Sequence, residues 1–113
     1  MTDMKLLKAE LTEIIDESND NIVVTDGEGV VLRVSKNCID IYGLRKEELI
    51  GKTVFQLEKE NVFYPSVSAQ VLKEKKRIQV MQTTLTGKHV MATGIPMFDE
   101  DHKITRVISF SHD

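Results

Sequence analysis

The stretch RIQVMQTTLTGKHVMATGIPMFDEDHKITRVISFS, residues 77–111, decides the fold class, because its periodicity differs from that of the segment before it. That segment, SVSAQVLKEKK at 66–76, has the 3.6-residue spacing of a helix that Ser66 can cap. From Arg77 the period becomes two, which indicates strands joined by the turns TGK and DEDHK. The predicted strands cover 77–85, 89–98 and 104–111. Strands joined by such short turns form an antiparallel sheet.

A second pair of strands is predicted in the first third of the chain. NIVVTD at 21–26 and VVLRVS at 30–35 are short and β-branched, and the glycines between them can adopt positive φ. Short helices are predicted after this hairpin, over 36–43 and 45–51, and the mixed region 53–63 follows them. The order of helix, two strands, short helices and three strands indicates an α+β fold, with helices on one face of an antiparallel sheet.

Residues 1–18 are predicted to form an amphipathic helix with an apolar seam. Two interpretations of the seam stay open: it packs on the exposed face of its own sheet, or it pairs with the same helix of a second chain. Two heptads alone are marginal in water, so contacts with the sheet must supply much of the stability. The seam residues, spaced as in a coiled coil, are Met4, Leu7, Leu11 and Ile14.

Composition limits the classes of function. The chain has 113 residues, of which 41% are apolar and 29% charged, as expected for one globular domain. The net charge of -3 favours neither direct nucleic-acid binding nor an anionic membrane. The single cysteine and the absence of a long apolar run lead us to expect a cytoplasmic protein. The histidines lack metal-ligand spacing and no catalytic constellation stands out, so we expect neither a metal site nor an enzyme.

Several short motifs together resemble a known family, the PAS domain. The resemblance covers roughly residues 8–113 and implies a five-stranded antiparallel sheet that cups short helices around a small cavity. We therefore expect a flanking amphipathic helix at 1–19 and a single PAS core at 20–113. The matching positions are Asp26, Gly29 and Val31 in D-x-x-G-x-V, Gly43 with KEELIGK at 46–52, Gly87 and Pro96 in the last hairpin, and FDEDHKITRV at 98–107.

Three longer stretches resemble a subgroup, the N-terminal PAS domain of sigma-54-dependent transcription activators of Firmicutes. They are LEKENVFYPSVSAQVLKEKK at 57–76, QTTLTGK at 82–88 and TGIPMFDED at 93–101. The chain departs from that subgroup at His112, where Arg is usual, and at His102, where Gly is usual. The resemblance implies covalently linked AAA+ and DNA-binding output domains, which this chain lacks, so we expect an excised sensor module.

The implied function is signal sensing for a transcription regulator. The module is expected to bind a small ligand in its core cavity, to form a homodimer, or to do both. Two alternatives stay open: a ligand-free PAS module for dimerisation or docking, and the sensor domain of a histidine kinase.

Cys38 raises the question of a flavin, since the reactive cysteine of flavin-binding LOV domains also follows an asparagine. In that subgroup the motif is G-x-N-C-R-F-L-Q on a later helix, whereas here IDIYG follows Cys38 on the first short helix. We expect a small buried apolar residue. Haem-binding PAS domains use a histidine on the long helix, and 66–76 contains none. The resemblance therefore argues against flavin and haem and leaves the cofactor unknown.

The residues that could line the cavity include one informative polar side chain, Gln82. If Gln82 faces the helices, its amide can bind a polar ligand group; otherwise it lies on the solvated face or bonds a neighbouring turn. A one-residue slip in strand register would reverse the assignment. The alternative for the whole set is that it only fills the core. The candidate cavity wall is Ile41, Tyr42, Phe55, Phe63, Val71, Gln82, Met91, Thr93 and Ser109.

Overall fold

Residues 77–111 form three long strands of one antiparallel sheet in the computed structural model, which describes residues 2–112. The strands are β1 (Asn21–Asp26), β2 (Val31–Val34), β3 (Phe63–Tyr64), β4 (Ile78–Thr84), β5 (His89–Phe98) and β6 (Ile104–His112). They lie in the order β2-β1-β6-β5-β4-β3. The α+β class and the five predicted strands are confirmed, with ends that shift by at most one residue.

The sheet has six strands, so the expectation of five was wrong. The additional strand β3 begins at Phe63, the last residue of the stretch that we interpreted as a mixed region. It pairs with the end of β4, with Phe63 opposite Thr84 and Tyr64 opposite Thr83. Two residues are too few to display a period of two, and Pro65, which lacks an N–H donor, follows directly.

Four short helices cover one face of the sheet, which we call the inner face. They are α2 (Cys38–Tyr42), α3 (Lys46–Leu49), α4 (Val54–Lys59) and α5 (Val67–Glu74), and they follow the N-terminal helix α1 (Asp3–Glu17). Local capping explains where two of them begin. The Thr53 hydroxyl accepts the N–H of Gln56 at 3.1 Å, and the Ser66 hydroxyl accepts the N–H of Ala69 at 3.1 Å.

The inner face is identified by strand register and burial together. Gly94 lies opposite Ser109 and Ala92 lies opposite Ser111, and all four residues are buried. Because side chains alternate along a strand, residues 91, 93 and 95 belong to the opposite face, which we call the outer face.

Helix α5 packs directly on β5. A Cβ atom added to Gly94 would lie 2.7 Å from Cγ2 of Val71 and 3.2 Å from Cγ2 of Val67. Only glycine at residue 94 permits this approach, so the core between α5 and the sheet is closely packed at this point.

The turn between β4 and β5 holds the end of α2. The Thr86 hydroxyl donates to the carbonyl oxygen of Ile41 at 3.0 Å, which gives a partner to a carbonyl near the helix end. Gly43 follows with φ of 78°, and a Cβ atom there would lie 2.8 Å from the Thr86 methyl group. Gly43 therefore serves both the helix end and this contact.

Helix α1 lies at the outer face, and none of its residues is buried. The Thr2 hydroxyl caps it by accepting the N–H of Lys5 at 3.2 Å. Two contacts tie it to the following chain: Arg33 Nη1 donates to Thr12 Oγ1 at 3.3 Å, and Lys36 N–H donates to Asp16 Oδ1 at 3.1 Å. The helix thus contacts its own sheet, but none of its side chains is buried against it.

Replacing Gly94 by alanine is expected to destabilise the fold by about 1–3 kcal/mol, because the new methyl group overlaps Val71. The free energy of unfolding, measured in urea, checks this. The double variant Gly94→Ala/Val71→Ala should be more stable than the sum of the single changes predicts, because the smaller side chain removes the overlap. Simple additivity would contradict direct packing of α5 on residue 94.

Candidate functional site

Most of the predicted cavity wall meets between the helices and the inner face. Two aromatic rings mark its centre: Tyr42 and Phe63 pack edge to face, with centroids 5.4 Å apart. The predicted residues that lie here, all buried, are Ile41, Tyr42, Phe63, Val71, Gln82 and Ser109.

Met91 and Thr93 do not belong to this group, so their placement in the cavity wall was wrong. Both lie on the outer face, since the buried inner-face positions of β5 are 90, 92 and 94. The Thr93 hydroxyl accepts a hydrogen bond from Gln79 Nε2 at 3.2 Å on that face. The error arose because alternation in the sequence identifies a strand but does not show which of its two sets of side chains faces the helices.

Phe55 also lies elsewhere. Its side chain is 47% exposed, and it lines a groove at one end of the sheet with Leu72 and Ile104. A Cβ atom on Gly29 would lie 2.9 Å from its ring. The ring therefore covers the turn between β1 and β2, and its assignment to the inner cavity wall was wrong.

Gln82 faces the helices and also bonds a neighbouring loop, two arrangements that the sequence analysis gave as alternatives. It faces the helices and is 3% exposed, and its Nε2 donates to the carbonyl oxygen of Pro65 at 2.9 Å. The amide thus ties β4 to the loop before α5. No described residue donates a hydrogen bond to its Oε1.

A buried hydrogen-bond network joins α2 to the sheet, and sequence reasoning missed most of it. The Tyr42 hydroxyl accepts from Asn21 Nδ2 at 2.8 Å, and the Ser111 hydroxyl donates to the Asn21 carbonyl oxygen at 3.5 Å. The Ser35 hydroxyl lies 3.1 Å from Asn21 Oδ1 and accepts the N–H of Ile22 at 2.8 Å. Among the described residues, no fully buried side-chain nitrogen or oxygen lacks a partner.

Burial keeps the Tyr42 phenol neutral. Burial raises the pKa of Tyr42 to about 12, although hydrogen bonds with Ser111 and Asn21 act in the opposite direction. The phenol therefore retains its proton at neutral pH. Its hydroxyl joins α2 to Asn21, the first residue of β1, which in turn bonds Ser111 near the end of β6.

Cys38 is buried, as expected. Its thiol donates to the carbonyl oxygen of Leu44 at 3.4 Å, and burial raises the pKa of Cys38 above its usual value. The thiol is therefore protonated at neutral pH and makes a local structural contact between α2 and the loop that follows it.

The seam of α1 is exposed in the single chain. Met4 and Ile14 are the most accessible of the four seam residues, at 76% and 65%. No helix among residues 2–112 is long and apolar enough to cross a membrane. Within the same range, no three His, Cys, Asp or Glu side chains group as metal ligands would.

The Tyr42→Phe variant should lose about 1–3 kcal/mol of stability, because it leaves the buried Asn21 Nδ2 without its acceptor. Urea unfolding followed by circular dichroism measures the change. Tyr64→Phe is the matched control, since Tyr64 is 60% exposed and should tolerate loss of its hydroxyl with little effect. Equal effects of the two substitutions would show that the Tyr42 hydroxyl has no structural role.

Comparison with solved structures finds the same fold in sensory proteins. The structure is similar to the PAS domain of a protein from Colwellia psychrerythraea, with TM-score 0.67 and 21% identity over 96% of each chain. It is similar to a sensory box sensor histidine kinase from Vibrio cholerae, with TM-score 0.59 and 15% identity, covering 97% of this chain and 94% of that one. These identities establish likeness of fold.

A third similar structure is Vibrio cholerae VqmA bound to DPO, with TM-score 0.65 and 19% identity. The match covers 93% of this chain and 57% of that one. The comparison with curated proteins gave no match. The family model described as PAS domain matches residues 19–113, which is most of the chain. This protein therefore belongs to the PAS domain family.

Proposed function

We propose that this PAS domain is a cytoplasmic, non-enzymatic sensor module that binds a small molecule between its helices and the inner face. The buried network around Tyr42 carries the proposal, because it connects α2 to one end of the β1–β6 pair, where Asn21 lies opposite Ser111. A guest that displaces α2 must break or rearrange these hydrogen bonds. The change would then reach Asn21 at the start of β1 and Ser111 at the end of β6.

The side chains of the inner face indicate which kind of molecule could bind there. Ile41, Phe63 and Val71 are apolar, whereas Gln82 and Ser109 add polar atoms. A compact, mostly apolar molecule with one hydrogen-bond donor for the free Gln82 Oε1 fits this set. VqmA, which has the same fold and was solved bound to DPO, supports the choice of a small-molecule ligand.

Close packing at Gly94 sets a condition on binding. Helix α5 contacts β5 there, so a guest would have to open the packing on the side of α2, Phe63 and Gln82. The ligand can shift the equilibrium only by the difference in its affinity for the closed and displaced forms of the helices. Rearrangement of the hydrogen bonds around Tyr42 is one physical source of this difference in affinity.

The parent protein is proposed to be a sigma-54-dependent transcription activator of the Firmicutes type, with AAA+ and DNA-binding output domains. The three stretches that resemble that subgroup support this context, and the similar histidine kinase structure supports a kinase as the alternative. We also propose a homodimer through the exposed α1 seam. A ligand-free docking module is the alternative if no guest is found.

Native mass spectrometry of the protein purified from its own host tests for a guest. We expect a mass excess that disappears on denaturation and that is lost in Gln82→Leu, because leucine removes the polar contact inside the core. Gln79→Leu is the matched control: Gln79 lies in the same strand on the outer face, so this variant should retain the excess.

An excess retained equally by both variants would place the guest away from Gln82. The absence of any excess, together with a dimeric mass, would favour the docking module over the sensor. The same spectra report whether the protein is a monomer or a dimer.

A further inference from the structure

A groove of about 750 Å³ separates α1 from the outer face of the sheet, on the side opposite the inner-face site. Its surface is largely apolar, because the outward residues of the strands and the inward side of α1 meet there. No residue of α1 is buried, so the helix forms one wall of the groove without filling it. The floor and walls include Ile15, Ile22, Val24, Met97, Ile108 and Phe110.

All charged residues that line this groove are cations. They are Lys8 on α1, Arg33 on β2 and Arg106 on β6. The chain as a whole carries a net charge of -3, so this grouping is not a consequence of a basic composition. None of the three side chains forms an ion pair within residues 2–112.

Two nearby carboxylates each hydrogen-bond main-chain N–H groups through one oxygen and form no ion pair with these cations. Asp26 lies opposite Arg106 in the strand register, but its Oδ1 accepts the N–H groups of Glu28 and Val30, each at 2.9 Å. Asp16 on α1 accepts the N–H of Lys36. The two arginines bond only neutral oxygens: Arg33 donates to Thr12 Oγ1, and Arg106 donates to the main-chain carbonyl of Thr105 at 2.7 Å.

We propose that this groove binds a free anionic amphiphile, a single-chain carboxylate whose hydrocarbon tail lies on the apolar floor. Its headgroup would lie at the guanidinium groups of Arg33 and Arg106. Charge complementarity argues for the anionic head, since three cations and no carboxylate line the groove. The volume lies in the range of small-molecule sites, about 300–1,000 Å³.

The hydrocarbon tail would fill the space between α1 and the outer face of the sheet. An α-helix with its side chains is about 10–12 Å across, and α1 already forms one wall of the groove, so a second helix would have to displace it. Leu11 and Ile14 of the α1 seam also line the groove, so a dimer in which α1 of a second copy enters it would exclude the tail. The site is separate from the proposed inner-face site and does not depend on it.

Titration with sodium dodecanoate, followed by calorimetry and by NMR of the full chain, tests the proposal. We expect one molecule to bind per chain, about tenfold or more tightly than dodecyl maltoside or dodecyltrimethylammonium, which share the tail but not the negative head. Amide shifts should concentrate at Ile22, Ile108 and Phe110. Equal binding of the three probes, or shifts centred on Gln82 and Tyr42, would overturn it.

Charge reversal locates the headgroup. Arg106→Glu and Arg33→Glu should each weaken dodecanoate binding by about tenfold or more, while Arg77→Glu, an exposed arginine outside the groove, should leave it unchanged. Thermal unfolding of each variant verifies that it folds. Unchanged affinity in both groove variants would contradict the assignment.

Sedimentation velocity distinguishes the competing occupant. If a second copy fills the groove, the protein is a dimer that dodecanoate fails to enter and that Arg106→Glu dissociates, and the proposal is wrong. Association with phosphatidylglycerol vesicles without uptake of dispersed dodecanoate would likewise overturn it in favour of a lipid surface.

Discussion

The buried phenol of Tyr42 is the contact on which the arrangement of helices and sheet depends. It lies on a helix of five residues, which is too short to be stable alone. Its hydroxyl meets Asn21, and the Asn21 main chain meets Ser111, so one side chain fixes α2 against β1 and β6. Because the groups are buried and mutually satisfied, any displacement of α2 requires a new set of partners.

Three further contacts determine where the helices can move away from the sheet. At α5, the approach to Gly94 leaves no room for even one methyl group. Thr86 holds the last turn of α2, and Gln82 holds the loop before α5 at Pro65, each through one hydrogen bond. The cover is thus closely packed at α5 and polar near α2, which explains why we place the proposed guest near the latter.

Periodicity predicted the three strands after Arg77, and β-branched composition with glycines in the turn predicted β1 and β2, which together indicated the fold class. Periodicity could not reveal β3, whose two residues carry no pattern, and it could not identify the covered face of β5. Met91 and Thr93 were misassigned for that reason, and Phe55 because a helix of six residues gives little guidance on direction. Asn21, Ser35 and Ser111 were missed because their network joins distant positions through the sheet. The one sign of the network in the sequence is that Asn21, Ser35 and Ser111 are polar residues at strand or strand-end positions whose side chains face the core.

Residue-resolved hydrogen exchange of wild-type and Tyr42→Phe protein tests whether the Tyr42 hydroxyl links α2 to the ends of β1 and β6. The slowest amides report the change in global stability, and faster exchange beyond that change reports local opening. We expect additional exchange at Ile22 and Ser111, near the ends of β1 and β6, with no additional exchange at Val90 in β5. Uniform acceleration across the sheet, or none, would contradict the role of Tyr42 in linking α2 to those strand ends.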